Sequence, residues 1–399
     1  MNAETIRSRN DRELAKKLLS DSFVSNVVDQ LNRAEQDGAG GVRRRLLATS
    51  VRLSRSMAPV LHEHADACAE RLGLDIPLEL YVYSSPSFNA ACVKPEDGRL
   101  FIMFSSSLLE AFSDAELRFV MGHEVGHYIY GHHDIPIGYI LKGRQKPPPA
   151  LALQLFTWSR YAEISADRAG AHCAEDLGSI ARALFRLASG LTGDVIEFQL
   201  DAFLSQVDEM QTEDAEPGQG APMEDWFSTH PFSPLRVKAL KMFDDSELAR
   251  EGGTKTSILE ADVQTLMGLM EPSYLESKTP VAETMRRLLF AGAIAIADAT
   301  NGISEAEIEV FERFFGKDAF SDKLDIEKIK TELDERIAHT RDEASHGQSM
   351  QVLRDLCLIA QADGGVTNAE RTVINHIATG LDLSPGFVDC QIDCDRELD

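Results

Sequence analysis

No stretch of about 18 uninterrupted apolar residues occurs anywhere in the 399-residue chain, which excludes the ordinary membrane-spanning helix. The longest apolar candidates, Ile135–Leu141 and Ala150–Trp158, are short and separated by KGRQKPPP. The first residues, MNAETIRSRNDRELAKKLLSDSF, lack the apolar core and small-residue cleavage site of a secretory leader. Cysteine is sparse. Its six copies, at 68, 92, 173, 357, 390 and 394, form no disulfide-type framework, so reduced thiols and a cytoplasmic protein are expected. Basic side chains are also scarce, 40 against 65 acidic, for a net charge of −25. Nucleic acid is therefore not an expected partner, because phosphate contacts need clustered Lys and Arg.

The acidity is uneven. Residues 279–399 hold 24 acidic and 12 basic side chains, whereas residues 1–55 hold 7 and 11. Apolar periodicity predicts a helix over 11–36, ending at DGAGG, and a second over 42–72. LELYVY (78–83) and RLFIMFSS (99–106) read as strands separated by the turn-former PEDG. Ser113 and Glu116 have the spacing of a capping box, opening a helix expected to run to about His132. Further helices are expected at 150–175, 178–190 and 193–209, followed by an acidic loop at 211–225. REGGTKTS (250–257) reads as a domain boundary. In the helical unit beyond it, 288–315 and 352–378 are copies of one pattern: an apolar helix ending in Ala-Asp, then Ser304–Glu307 or Thr367–Glu370 as a capping box.

The chemistry-bearing motif is His123-Glu124-Val125-Gly126-His127. Residues four apart stack on one helix face, so both imidazoles can reach one tetrahedral metal. Glu124 is placed to take a proton from an attacking water. A catalytic zinc needs a third protein ligand, and two residues compete for that place. His133 falls six residues past His127, the metzincin position, but that pattern wants glycine where this chain has Tyr130. Glu163 lies on a later helix with Asp167 one turn beyond, positioned to accept the free ring N–H of a liganding histidine. That pairing favours Glu163 and leaves His132 and His133 as partly exposed residues at a helix end. His62-Glu63-His64 has the wrong spacing to hold zinc on one helix face.

The order of motifs resembles the zinc metallopeptidases of the CAAX prenyl-protein protease and HtpX heat-shock protease kind. Asn89-Ala90, His123–His127, Glu163–Asp167 and His230-Pro231, with Arg236 six residues after His230, follow one another as in that family. The resemblance covers about 56–245. It implies a zincin-type catalytic domain with a small sheet, one catalytic zinc on His123, His127 and Glu163, Asp167 behind them, and His230 and Arg236 stabilising an oxyanion. Phe232 stands where relatives often have a second proline, and several relatives are membrane-embedded where this chain has no span. The strand Leu100–Ser105 is expected at the sheet edge, so that Asn89, Ala90, Phe101 and Met103 would meet an extended peptide.

The twofold Ala-Asp pattern resembles the TerB-like helical domain of tellurite resistance. Asp298, Glu307, Asp363 and Glu370 are candidates for a divalent cation there, although capping and turn roles account for all four. The expected fold is α+β and predominantly helical: an N-terminal helical segment (1–55), a metallopeptidase domain (56–249), a linker (250–278) and an all-α TerB-like domain (279–399). The expected function is a zinc endopeptidase acting on protein or peptide, with a helical regulatory or adaptor domain whose acidity suits a protein partner. The competing reading is a latent or non-proteolytic scaffold, with the 211–225 loop covering the cleft.

Overall fold

The computed structural model describes residues 2–37, 41–143, 145–174, 176–192, 196–213, 229–270, 280–299, 308, 312, 326–344, 346–362 and 365–393. It divides into two compact units, one of residues 1–209 and 227–267, the other of residues 210–226 and 268–399. The chain is α+β and mostly helical.

In the first unit the N-terminal segment forms α1 (Ala3–Ile6), α2 (Arg9–Leu19), α3 (Ser22–Asp37) and α4 (Val42–Thr49). The helix expected over 11–36 is two helices. Asp21 interrupts it, its side chain accepting from the backbone N–H groups of Phe23 and Val24 at 2.8 and 3.2 Å. The helix expected over 42–72 also divides, into α4 and α5 (Pro59–Leu72), with strand β1 (Val51–Leu53) between them. Pro59 sits in the first turn of α5, where its missing N–H costs nothing.

Strands β2 (Leu78–Tyr83), β3 (Ala90–Glu96) and β4 (Arg99–Ser105) complete a sheet of order β1-β2-β4-β3. β3 and β4 are joined by the two-residue turn Asp97-Gly98, both at positive φ (51° and 68°), which suits the right-handed twist of a hairpin. This order corrects one expectation. β4 is interior, pairing in parallel with β2 and antiparallel with β3, so β3 carries the edge. Side chains alternate across a strand. Ile102 and Phe104 face the helical core, while Phe101 and Met103 pack with Leu46 and Tyr81 on the opposite face.

Short α6 (Ser106–Ala111) leads into α7 (Asp114–Ile129), which starts with the expected Ser113–Glu116 capping box. α7 stops three residues before His132. Gly131, at φ 69°, turns the chain left-handed and starts a single 3-10 turn over His132–Asp134. After α8 (Ile137–Lys142) come α9 (Pro149–Ala174), α10 (Leu177–Ser189), α11 (Leu200–Glu213) and α12 (Ser233–Asp244). The unit runs on through the span expected to be a linker. There α13 (Thr256–Gly268) supplies Glu260, ion-paired at 2.5 Å with the buried Arg168 of α9.

α7 and α9 approach closely because small residues line their contact. A Cβ on Gly126 would lie 2.7 Å from the Cβ of Ala169, and one on Gly170 would lie 2.6 Å from the carbonyl oxygen of Phe119.

The second unit contains α14 (Pro280–Asp298), α15 (Ile326–Thr331), α16 (Leu333–Glu343), α17 (His346–Ala360), α18 (Asn368–Gly380) and α19 (Pro385–Asp393). Leu288, Leu289, Ile294 and Ile296 of α14, Leu353 and Leu356 of α17, and Ile374 and Ile377 of α18 are all buried. The Thr367–Glu370 capping box forms as expected, and its Ser304–Glu307 counterpart lies outside the described residues.

Gly126→Ala should force α7 and α9 apart and cost about 1–3 kcal/mol, the usual range for overpacking. Chemical denaturation of the apo-protein measures it.

Candidate metal centre

Helix periodicity puts His123 and His127 on the side of α7 that faces α9, where Glu163 and Asp167 stand one turn apart. The donor atoms converge. His123 Nε2 and His127 Nε2 are 3.0 Å apart, and Glu163 lies 3.6 Å from the first and 3.4 Å from the second. A tetrahedral site with arms of ~2.1 Å has edges of about 3.4 Å, so the three spacings suit one small cation. Among the described residues, this is the one such group of metal-binding side chains.

The second nitrogen of each ring reinforces the assignment. His123 Nδ1 is 3.0 Å from Asp167 Oδ1, and His127 Nδ1 is 2.8 Å from His132 Nδ1. With those nitrogens donating, both Nε2 atoms present lone pairs to the same point, an arrangement that calls for a cation between them. Burial, then the nearby His123, holds His127 well below the ordinary histidine range, which keeps it neutral as a ligand must be.

Asp167 would be raised by burial, but the Arg236 guanidinium outweighs that and, with His123, brings the carboxyl down to about 2. Arg236 donates from Nε and Nη2 to the two Asp167 oxygens at 2.8 and 2.6 Å, and Nη2 lies 3.4 Å from Glu163. Nε and Nη2 are thus engaged in holding carboxylates. His230 is largely exposed, its Nε2 3.4 Å from Glu163 Oε1, so it reaches the same centre from a different segment.

Glu124 accepts at 2.7 Å from the backbone N–H of Cys92, on edge strand β3. Burial raises its pKa above the ordinary glutamate value, opposed by His123 and by the Cys92 N–H. Asn89 lies just before β3 and donates from Nδ2 to the Tyr83 hydroxyl at 3.0 Å, and Ala90 opens the strand. Phe101 and Met103, expected to line the cleft, are instead on the far face of the sheet, because β4 is interior and its odd-numbered side chains point away from α7.

Sequence reasoning missed His132, which is 7% exposed and so is not the expected helix-end surface side chain. Its Nε2 lies 3.0 Å from Oδ2 of Asp11 on α2. Its nearness to the motif was visible, but the reversal at Gly131 and the partner 121 residues away were not.

The candidate cation in the C-terminal unit finds no support. Asp298 is paired with Lys330 at 2.6 Å and Glu370 is taken up by its capping box. Glu307 and Asp363 lie outside the described residues, as does most of the 211–225 loop.

Residues 56–142 and 148–243 match the family model Peptidase family M48, and residues 286–389 match Tellurite resistance protein TerB. Among curated proteins, the chain is similar to "Plastoglobule-localized metallopeptidase 48, chloroplastic" of Arabidopsis thaliana. The two are 33% identical over 169 residues, which is 40% of this chain and 49% of that protein. The chain thus spans about half the length of this curated relative. No solved structure matches. The relative's name places it at plastoglobules and lends no support to a cytoplasmic location. Among the described residues, no helix is long and apolar enough to cross a membrane.

Glu163→Ala should abolish stoichiometric zinc binding while His133→Ala keeps it, as read by inductively coupled plasma analysis of the purified variants. Retention by the first and loss by the second would move the third ligand to the metzincin position.

Proposed function

We propose that the chain is a zinc endopeptidase that cuts protein or peptide chains, on the premise that residues 56–142 and 148–243 match peptidase family M48 and residues 286–389 match TerB. The observation that carries the proposal is the convergence of His123, His127 and Glu163 on one point, with the Glu124 carboxylate of α7 accepting from the Cys92 N–H of the neighbouring edge strand. Zinc, when bound, supplies Lewis-acid polarisation of the scissile carbonyl and of the attacking water.

The remaining steps belong to the chain's own residues. Glu124 takes a proton from the attacking water and delivers it to the leaving amine, a transfer for which a carboxylate raised by burial is suited. His123 and His127 are held in orientation by Asp167 and His132 through their outer nitrogens. Arg236 fixes Asp167 and stands beside Glu163, keeping two neighbouring carboxylates compatible in a confined site. His230 offers an N–H to the oxyanion of the tetrahedral intermediate, a contact type worth about 3–4 kcal/mol. An extended substrate adds to β3, beginning at Asn89 and Ala90, where backbone pairing gives affinity without strong side-chain selectivity. The TerB domain serves as adaptor, its acidity suited to a basic protein partner.

Glu124→Gln should keep its zinc and lose about 10²–10⁴-fold in the rate of cleaving an unfolded protein substrate. If wild type and Glu124→Gln are equally inert, also after proteolysis within 211–225, the endopeptidase reading fails and the scaffold reading replaces it.

A further inference from the structure

The two histidines of the metal centre are supported differently. His123 meets a carboxylate directly, through Asp167 at 3.0 Å. Through its outer nitrogen, Nδ1, His127 meets a second imidazole, and beyond that imidazole a carboxylate. For His127 Nε2 to bind a metal, its hydrogen must sit on Nδ1. That hydrogen points at His132 Nδ1, 2.8 Å away, which must therefore accept it. His132 then carries its own hydrogen on Nε2, where Asp11 Oδ2 accepts it at 3.0 Å. With both imidazoles neutral, one set of tautomers satisfies both contacts, and it is the set that leaves His127 Nε2 free for the metal.

Asp11 is built for this task. It is fully buried, and every side-chain group bonded to it is a donor. Arg7 donates from Nε to Oδ2 at 2.8 Å and from Nη2 to Oδ1 at 3.3 Å, and Trp158 Nε1 donates to Oδ1 at 3.0 Å. With its oxygens so held, the carboxylate fixes the His132 ring, which also packs edge-on against Trp158 at 5.9 Å between centroids. Gly131, at φ 69°, turns the chain so that His132 folds back onto the α7 face that carries His127.

We propose that His132 and Asp11 are positioning residues of the metal centre, aligning His127 for the ion, and that helix α2 is thereby a functional part of the site. The proposal uses the metallopeptidase reading only to name the ion as zinc. A buried His–Asp pair can also be plain packing, and two substitutions separate the roles. His132→Phe keeps a ring against Trp158 and removes the acceptor. His132→Asn loses the ring but places an oxygen close to where Nδ1 stood. Positioning predicts that Asn retains metal better than Phe, and packing predicts the opposite order.

The test is Zn²⁺ affinity of the full chain, by competition with a chromogenic chelator, with Co²⁺ visible spectra as a second readout. The expected result is a 10–100-fold rise in the Zn²⁺ dissociation constant for His132→Phe, the usual cost of losing a partner behind a metal ligand. His132→Asn should recover much of that loss. Asp11→Asn should also weaken binding, because its amide N–H groups face only donors. In His132→Phe the Co²⁺ bands should broaden and weaken.

An affinity for His132→Phe and Asp11→Asn within about two-fold of wild type, small against the loss expected at such a partner, overturns the proposal, and so does Phe outperforming Asn. The ordering of Phe and Asn is informative even where both lower stability. A wild-type chain that binds Zn²⁺ and cleaves nothing counts against the peptidase reading alone. One that binds no Zn²⁺ overturns both.

Discussion

The approach of α7 to α9 sets the candidate metal centre, because all three candidate ligands and Asp167 reside on these two helices. Gly122, Gly126, Ala166, Ala169 and Gly170 let the backbones meet where larger side chains would hold them apart. A displacement of one ångström would be large against donor spacings of 3.0–3.6 Å. The cost is a stripe without large apolar side chains. The surrounding core offsets it, with Phe119, Met121, Val125 and Ile180 buried in one cluster with the sheet residues Leu80, Ile102 and Phe104.

The same contact concentrates charge in a dry place, and the structure answers it group by group. Two carboxylates, Glu163 and Asp167, are buried one turn apart. Arg236 reaches them from α12, and His123 from α7. Buried carboxylates of this kind are tolerable only when paired and hydrogen-bonded. Asp11 repeats the solution on the other side, with Arg7, Trp158 and His132 as its donors. Each histidine of the candidate centre is thus tied, directly or through one imidazole, to an acid with its own counter-charge.

Local features were legible in sequence. The His123–His127 spacing, the Ser113–Glu116 and Thr367–Glu370 capping boxes, and the Glu163–Asp167 pair each depend on a single helical turn, and helical periodicity carries them. Non-local features were not. The order β1-β2-β4-β3 makes β4 interior, and no property of Arg99–Ser105 taken alone reveals which strands flank it. That is why Phe101 and Met103 were expected in the cleft. His132 escaped for a similar reason: its role needs the left-handed turn at Gly131 and a carboxylate from the far N-terminus. Glycine after an apolar helix was a readable stop signal, and read that way it would have ended α7 before His132. The breaks at Ser20-Asp21 and before Pro59 were likewise marked by capping and proline chemistry that periodicity alone overrides.

One ion among two imidazoles and one carboxylate is the arrangement on which the proposed chemistry depends. X-ray absorption at the zinc K-edge of the zinc-loaded full chain addresses it most directly. The expected result is nearest neighbours of nitrogen and oxygen only, at about 2.0–2.1 Å, with more distant scattering from two imidazole rings. Scattering from a third imidazole, or a sulfur at about 2.3 Å, would contradict it.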